Sequence, residues 1–302
     1  ARLTRSGASV EEAYWQLVGS DISAAADLLS GVHESSGGVD GWVSVEVSPA
    51  LAHDTEGTIE AARELSRNLA LDNLYVKVPA TAEGIEAIRV LTSEGIPVNV
   101  TLIFGLERYA DVIEAYLSGL EAHKGTLSHI SSVGSFFISR VDTEVDRRLT
   151  EVGTDDALDL LGTAAITQGK LAYQLAMTAF SGSRWDALEE RGAKLQRPLW
   201  ASTSTKNPEY PDTYYVDSLI GPNTVNTLPE ATLEAFDDHG NLVSTLGASP
   251  EADQKRWEQL GELVDLDEVS AKLEAEGVAS FATSFDDVLA TLAERVGPSV
   301  DG

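Results

Sequence analysis

The chain has no cysteine and a single methionine, Met177, in 302 residues. Without cysteine there is no disulfide framework, no thiolate metal site and no cysteine nucleophile, so redox roles through sulfur are excluded. Long apolar runs are missing as well. No stretch reaches the ~18 residues of a membrane span, and no charged-then-apolar segment with a small-residue cleavage site stands at the start. The expectation is a cytoplasmic protein without a membrane partner. Basic residues are scarce: 21 Lys and Arg stand against 49 Asp and Glu, for a net charge of −28. Such a field repels polyanions, so nucleic acid is not an expected partner. A small anionic ligand would need a local cluster of Lys or Arg, which gives each basic residue individual weight.

What is present is a globular composition, 43% hydrophobic and 23% charged. Apolar segments of strand length alternate with longer helical patterns, the signature of a parallel sheet covered by helices. Six segments rich in β-branched and aromatic residues read as strands: 43–47, 74–78, 98–104, 133–139, 198–202 and 224–228. Helices are expected at 9–29, 55–70, 82–94, 105–121 and 155–180, and a helical tail at about 249–296 divides into 249–264, 265–276 and 284–295. The segment HESSGGVDG at 33–41 reads as a helix-to-strand turn, and no low-complexity linker divides the chain. The expectation is a single domain over 1–302. The five tryptophans, at 15, 42, 185, 200 and 257, are scattered and read as packing residues.

Strands of a buried parallel sheet should be almost wholly apolar, because an ionisable residue inside one costs several kcal/mol unless it is paired or functional. Three successive strands break this rule. By the two-residue strand period, Ser44, Glu46 and Ser48 share one face of VSVEVS. Lys77 lies opposite the apolar face of LYVKVP, and Asn99 and Thr101 lie opposite that of VNVTLIF. If the strands are neighbours, a carboxylate, an amine, an amide and a hydroxyl converge near the carboxyl ends of the strands, where barrel enzymes keep their sites. A Lys77–Glu46 ion pair kept for structure is one reading, and such pairs contribute little net stability. Asn99 and Thr101 on the next strand favour the other, a working amine. Apolar surroundings disfavour an ammonium, which frees a nucleophile for Schiff-base formation with a ketone. Glu46 would then move protons through a water, with Asn99 and Thr101 holding that water or substrate hydroxyls.

Further along, VGSFFISR supplies Ser135 and, at the end of an apolar strand, Arg140 as a candidate phosphate fork. WASTSTKNP follows the next strand with Ser202, Thr203, Ser204 and Lys206, a composition suited to anion binding. A surface salt bridge or a capping hydroxyl is the alternative for each. The sequon at Asn99 falls inside a strand and reads as chance, and the five histidines have no metal-ligand spacing. His53 beside Asp54 suits a loop dyad or a helix-capping turn. There is no dinucleotide fingerprint and no phosphate-binding P-loop.

The strings VSVEVSP, LYVKVPAT, IPVNVTLIF, SFFISRVD, RPLWASTSTKNP and GPNTVNTLPE, in this order, resemble the transaldolase family, in particular its actinobacterial branch. The resemblance implies a (β/α)8 TIM barrel of the class I aldolase type, which moves a dihydroxyacetone unit from a ketose phosphate to an aldose phosphate without cofactor or metal. It implies Lys77 as the Schiff-base lysine, Glu46 as the acid/base glutamate and Thr101 as the threonine that positions a water. Asn99 and Ser135 match substrate contacts and Arg140 a phosphate contact; Ser202 and Lys206 join the substrate group as residues of the anion-binding loop. Partners are phosphorylated sugars, with homo-oligomerisation left open. The family's aspartate and its TTNP-type loop on the first two strands have no counterpart here, and Asp21 and Asp40 lie in unlike strings. With Ala1 first and Met177 the single methionine, the expectation is a chain lacking the first two barrel strands. A Schiff-base aldolase that releases dihydroxyacetone, and a silent barrel that only binds sugar phosphates, are the other readings.

Overall fold

The computed structural model describes residues 9–296. In chain order its elements are α1 (Val10–Ser35), β1 (Val43–Glu46), α2 (Thr55–Leu69), β2 (Leu74–Pro79), α3 (Ala82–Ser93), β3 (Val98–Ile103), α4 (Leu106–Ala122), β4 (Ser132–Phe137), α5 (Ser139–Val152) and α6 (Asp155–Leu158). There follow α7 (Ala164–Ala179), α8 (Gly182–Glu189), β5 (Arg197–Ala201), α9 (Tyr214–Ser218), β6 (Val225–Asn226), α10 (Glu230–His239), α11 (Pro250–Leu263) and α12 (Leu266–Val296). The six strands form one sheet in the order β1-β2-β3-β4-β5-β6, and every pair is parallel. No helix among the described residues is long and apolar enough to cross a membrane.

Local chemistry explains the helix starts. The Ser9 hydroxyl and Glu12 carboxylate form a reciprocal capping box on α1. Asp54 accepts from the Gly57 N–H at the start of α2, and Thr81 accepts from the Gly84 N–H at the start of α3. Asp54 is therefore a cap, and the neighbouring His53 turns to Glu83, 3.2 Å away. Of the two readings of His53 and Asp54, the capping turn is the one observed.

The strand period sorts the sheet into two faces. Val43, Val45 and Leu74 pack with Ala26 of α1 and, around them, Trp15, Val18, Ile22 and Leu29. Val76, Val78, Val98 and Val100 join the larger cluster that includes Ile59 of α2, Leu91 of α3 and Val112 of α4. The opposite face carries Ser44, Glu46, Lys77, Asn99 and Thr101. All five tryptophans pack in or against these clusters; Trp42 stacks on Tyr75 with centroids 4.2 Å apart.

Some boundaries differ from the sequence reading. The helix expected at 155–180 is interrupted between α6 and α7, where Gly162 takes φ +72°. The segments 265–276 and 284–295 are parts of the continuous α12, whose middle packs on β3 where a helix break was expected. The strand at 133–139 ends at Phe137, which places Arg140 in the first turn of α5 instead of at a strand end. The strand at 224–228 shrinks to Val225–Asn226.

Candidate active site

Register brings the polar residues level. Glu46 pairs with Lys77 across β1 and β2, and Lys77 with Asn99 across β2 and β3. The Lys77 Nζ lies 3.3 Å from Glu46 Oε2, with side chains 24% and 28% exposed respectively. Burial raises the Glu46 carboxyl above its ordinary value, and the charge and hydrogen bond of Lys77 pull it partly back.

Asn99, buried, is held at both ends of its amide. Its Nδ2 donates to Ser44 Oγ at 3.0 Å, and its Oδ1 accepts from Ser135 Oγ at 2.7 Å. Three strands thus fix one side chain, and both Asn99 and Ser135 are nearly inaccessible. Thr101 stands one strand period further toward the carboxyl end of β3. Its Oγ1 is buried and has no hydrogen-bond partner among the described residues. An unpaired buried hydroxyl costs ~1–3 kcal/mol, a cost that sites bear where a further partner is to be bound.

The backbone next to Thr101 is unusual. The β3–β4 register shifts between Val100 and Ile103, and Leu102 takes φ +59°. A leucine in the left-handed region costs roughly 1–2 kcal/mol, and such bulges re-aim side chains at sites. Ser202, just after β5, takes φ +57°. Its Oγ lies 2.9 Å from that of Ser139, whose N–H donates to the Ser202 carbonyl at 3.0 Å. The exits of β4 and β5 are tied together by this double contact.

Arg140 follows at once on α5. Its guanidinium carbon lies 5.4 Å from the Phe137 ring centroid, and among the described residues it forms no ion pair. Lys206, exposed on the loop after β5, donates to Ser204 Oγ at 2.9 Å and likewise has no carboxylate partner. Two cations without a carboxylate partner among the described residues thus lie at the exits of adjacent strands. The structure thus joins Glu46, Lys77, Asn99 and Ser135 in one connected patch, with Thr101 beside it. Arg140, in the first turn of α5, and Ser202 and Lys206, on the loop after β5, lie at the carboxyl ends of β4 and β5.

Two further contributors come from outside the strands. Phe281 of α12 lies with its ring centroid 5.4 Å from Lys77 Nζ. Tyr14 of α1 faces Glu46, and burial followed by that carboxylate's charge raises its phenol above the ordinary value. Tyr14, Glu46, Phe281, Phe285 and Val288 line a cleft of about 260 Å³. The rings of Tyr14 and Phe285 meet edge to face at 5.1 Å. The sequence held no signal for either residue, since both reach the site from helices at opposite ends of the chain. A larger cleft of about 400 Å³, lined by residues of α4 and α12 including the Arg108–Glu274 ion pair, does not have Lys77 in its lining.

The family model described as Transaldolase/Fructose-6-phosphate aldolase matches residues 1–292. Transaldolase 1 of Streptomyces avermitilis is 47% identical over all of this chain and 82% of its own length. The transaldolase of Frankia alni is 48% identical over 97% of this chain and 80% of its own length. That of Mycolicibacterium smegmatis is 47% identical, covering 95% of this chain and 79% of its own length.

Proposed function

The chain belongs to the transaldolase family, and from that premise we propose how its own residues carry the reaction. The activity is that of a transaldolase, a transferase of the pentose phosphate pathway acting on phosphorylated sugars. It moves a dihydroxyacetone unit from sedoheptulose 7-phosphate or fructose 6-phosphate to glyceraldehyde 3-phosphate or erythrose 4-phosphate.

Lys77 passes a proton to Glu46, 3.3 Å away, and its amine adds to the ketose C2 carbonyl. Glu46, whose protonated form is favoured by burial, donates a proton to the departing hydroxyl through a water, so that water leaves and an iminium forms. The iminium draws in the electrons of the C3–C4 bond as it breaks. The C4 hydroxyl passes its proton through a water to the Glu46 carboxylate left by the dehydration, the aldose departs and an enamine stays on Lys77. The enamine carbon then attacks the acceptor aldehyde, and hydrolysis of the new iminium frees Lys77.

Thr101, with its unpaired buried hydroxyl, holds the water used by Glu46. Asn99 and Ser135, mutually fixed, orient substrate hydroxyls, and Ser202, Arg140 and Lys206 take the phosphate. The six parallel strands are read as part of a (β/α)8 barrel in which two more strands lie between β1 and β6. The reaction is placed in the cytoplasm, where phosphorylated sugars are metabolised.

The 3.3 Å approach of Lys77 to Glu46 beside the immobilised Asn99 carries this reading. Borohydride reduction with fructose 6-phosphate, followed by peptide mapping, tests it. An adduct on Lys77, absent in Lys77→Ala along with all turnover, is the expected result. An adduct elsewhere, or full activity in Lys77→Ala, overturns it. Adding an aldose phosphate to the trapped-free enzyme then distinguishes transfer from release of dihydroxyacetone.

A further inference from the structure

Among the described residues, the segment 204–209, which carries Lys206, is tied to the rest of the fold by hydrogen bonds only at its ends. Its own hydrogen bonds stay within the turn: Lys206 to Ser204, the Glu209 N–H to Asn207 Oδ1, and the Tyr210 N–H to the Asn207 carbonyl. On the near side Thr203, buried, donates to Asn226 Oδ1 at 2.8 Å. On the far side Tyr210 donates its hydroxyl to Asp146 Oδ2 at 2.7 Å. Asp146 lies on α5, the helix whose first turn presents Arg140.

The receiving end is well built. The other carboxylate oxygen of Asp146 accepts the Gly162 N–H at 2.8 Å, and Tyr214 donates to the Gly162 carbonyl at 3.0 Å. The Tyr210 ring lies so close to Gly162 that a Cβ there would stand 2.7 Å from its Cζ. Three segments, α5, the α6–α7 turn and the loop after β5, therefore meet at one carboxylate. Burial and the hydrogen bond to Asp146 both raise the Tyr210 phenol above its ordinary value, keeping it a donor.

We propose that the Asp146–Tyr210 pair is a latch that fixes the Lys206 turn against the Arg140 helix and so sets the spacing of the two cations that grip the substrate phosphate. Asp146 and Tyr210 are positioning residues: they act through Lys206 and touch no substrate. The inference rests on the phosphate assignment made above for Arg140 and Lys206. A lost hydrogen bond of this kind frees the turn without altering the lysine chemistry, so the effect falls on substrate capture.

The test is steady-state kinetics on Tyr210→Phe, Lys206→Ala, their double variant and Arg140→Ala, with inorganic phosphate as competitive inhibitor. Tyr210→Phe is expected to raise KM for fructose 6-phosphate, and Ki for phosphate, about three- to tenfold. Its kcat stays within about twofold, and the double variant matches Lys206→Ala alone because both lose one function. Asp146→Asn, whose Oδ1 still accepts the Gly162 N–H while its Nδ2 donates to the Tyr210 oxygen in the reversed sense, is expected to retain the parental KM. If Arg140→Ala raises KM and Ki while Tyr210→Phe leaves both unchanged, the latch is overturned and the phosphate site stands. If Arg140→Ala also changes neither, the phosphate assignment falls and the latch with it. A Tyr210→Phe protein that loses kcat and melting temperature but keeps its phosphate Ki has a structural defect only, which equally overturns the latch.

Discussion

At the residue scale, the site depends on polar groups whose partners lie on other strands. The sequence marks Glu46, Lys77, Asn99 and Thr101 as exceptions in apolar strands, and the two-residue period places them on one face. It cannot say that Asn99 is pinned by Ser44 and Ser135, because those bonds span 55 and 36 positions of the chain. Asp142 is a second buried exception, outside the lysine patch, with one carboxylate oxygen bonded to the Ala165 N–H. Burial pushes its carboxyl up to about 7, with the charge of Asp146 adding to the rise. The folded chain thus holds this proton up to pH ~7, whereas an unfolded chain releases it near pH ~4. Its contribution to stability is complete below pH ~4 and is lost as the pH climbs to ~7. Asp142→Asn, which stays neutral, should therefore melt higher than the parent at pH 8 by an amount worth ~1–3 kcal/mol, with the two melting together near pH 4. A difference that is the same at both pH values would show that ionisation of Asp142 has no part in it.

At the element scale, α12 shows where helical periodicity stops being informative. The sequence suggests two helices, but one helix of 31 residues runs across the strand exits. Ser270 donates to the Phe104 carbonyl at 3.1 Å, Gly277 lets the helix approach β3, and Phe281 reaches Lys77 one turn later. A Cβ at Gly277 would stand 2.9 Å from Leu102 Cδ2, at the residue already strained by its positive φ. Gly277→Val is expected to lose ~1–3 kcal/mol of unfolding free energy and to lower kcat by moving Phe281. Gly31, in α1, has open space around its Cα. Gly31→Ala should instead gain ~0.5–1 kcal/mol from helix propensity. Urea unfolding of the pair checks both, and equal stability of the two variants would remove the close-approach argument.

At the scale of the whole molecule, the charge of −28 acts on every part of the fold. Ion pairs such as Arg184 with Glu114 and Glu121 are exposed and contribute little, whereas the repulsion of the excess carboxylates is general. Raising NaCl from ~50 mM to ~300 mM shortens the Debye length below the spacing of many surface charges. The melting temperature should rise by a few degrees; a fall would mean that the ion pairs outweigh the repulsion.

The sequence by itself determined the order of strands and helices, the face on which Lys77 stands and the residues that mark the family, because these depend on local periodicity and on residue types at fixed spacing. Even there, Arg140 was placed on a strand end and proved to lie on the first turn of α5, since β4 stops at Phe137. Only the tertiary structure decided that Phe281 and Tyr14 flank the lysine and glutamate, that Thr101 keeps an unpaired hydroxyl beside a bulge, and that Tyr210 ties the Lys206 turn to the Arg140 helix. Each of these follows from how segments distant in the chain pack together, and from backbone strain, which no local pattern encodes.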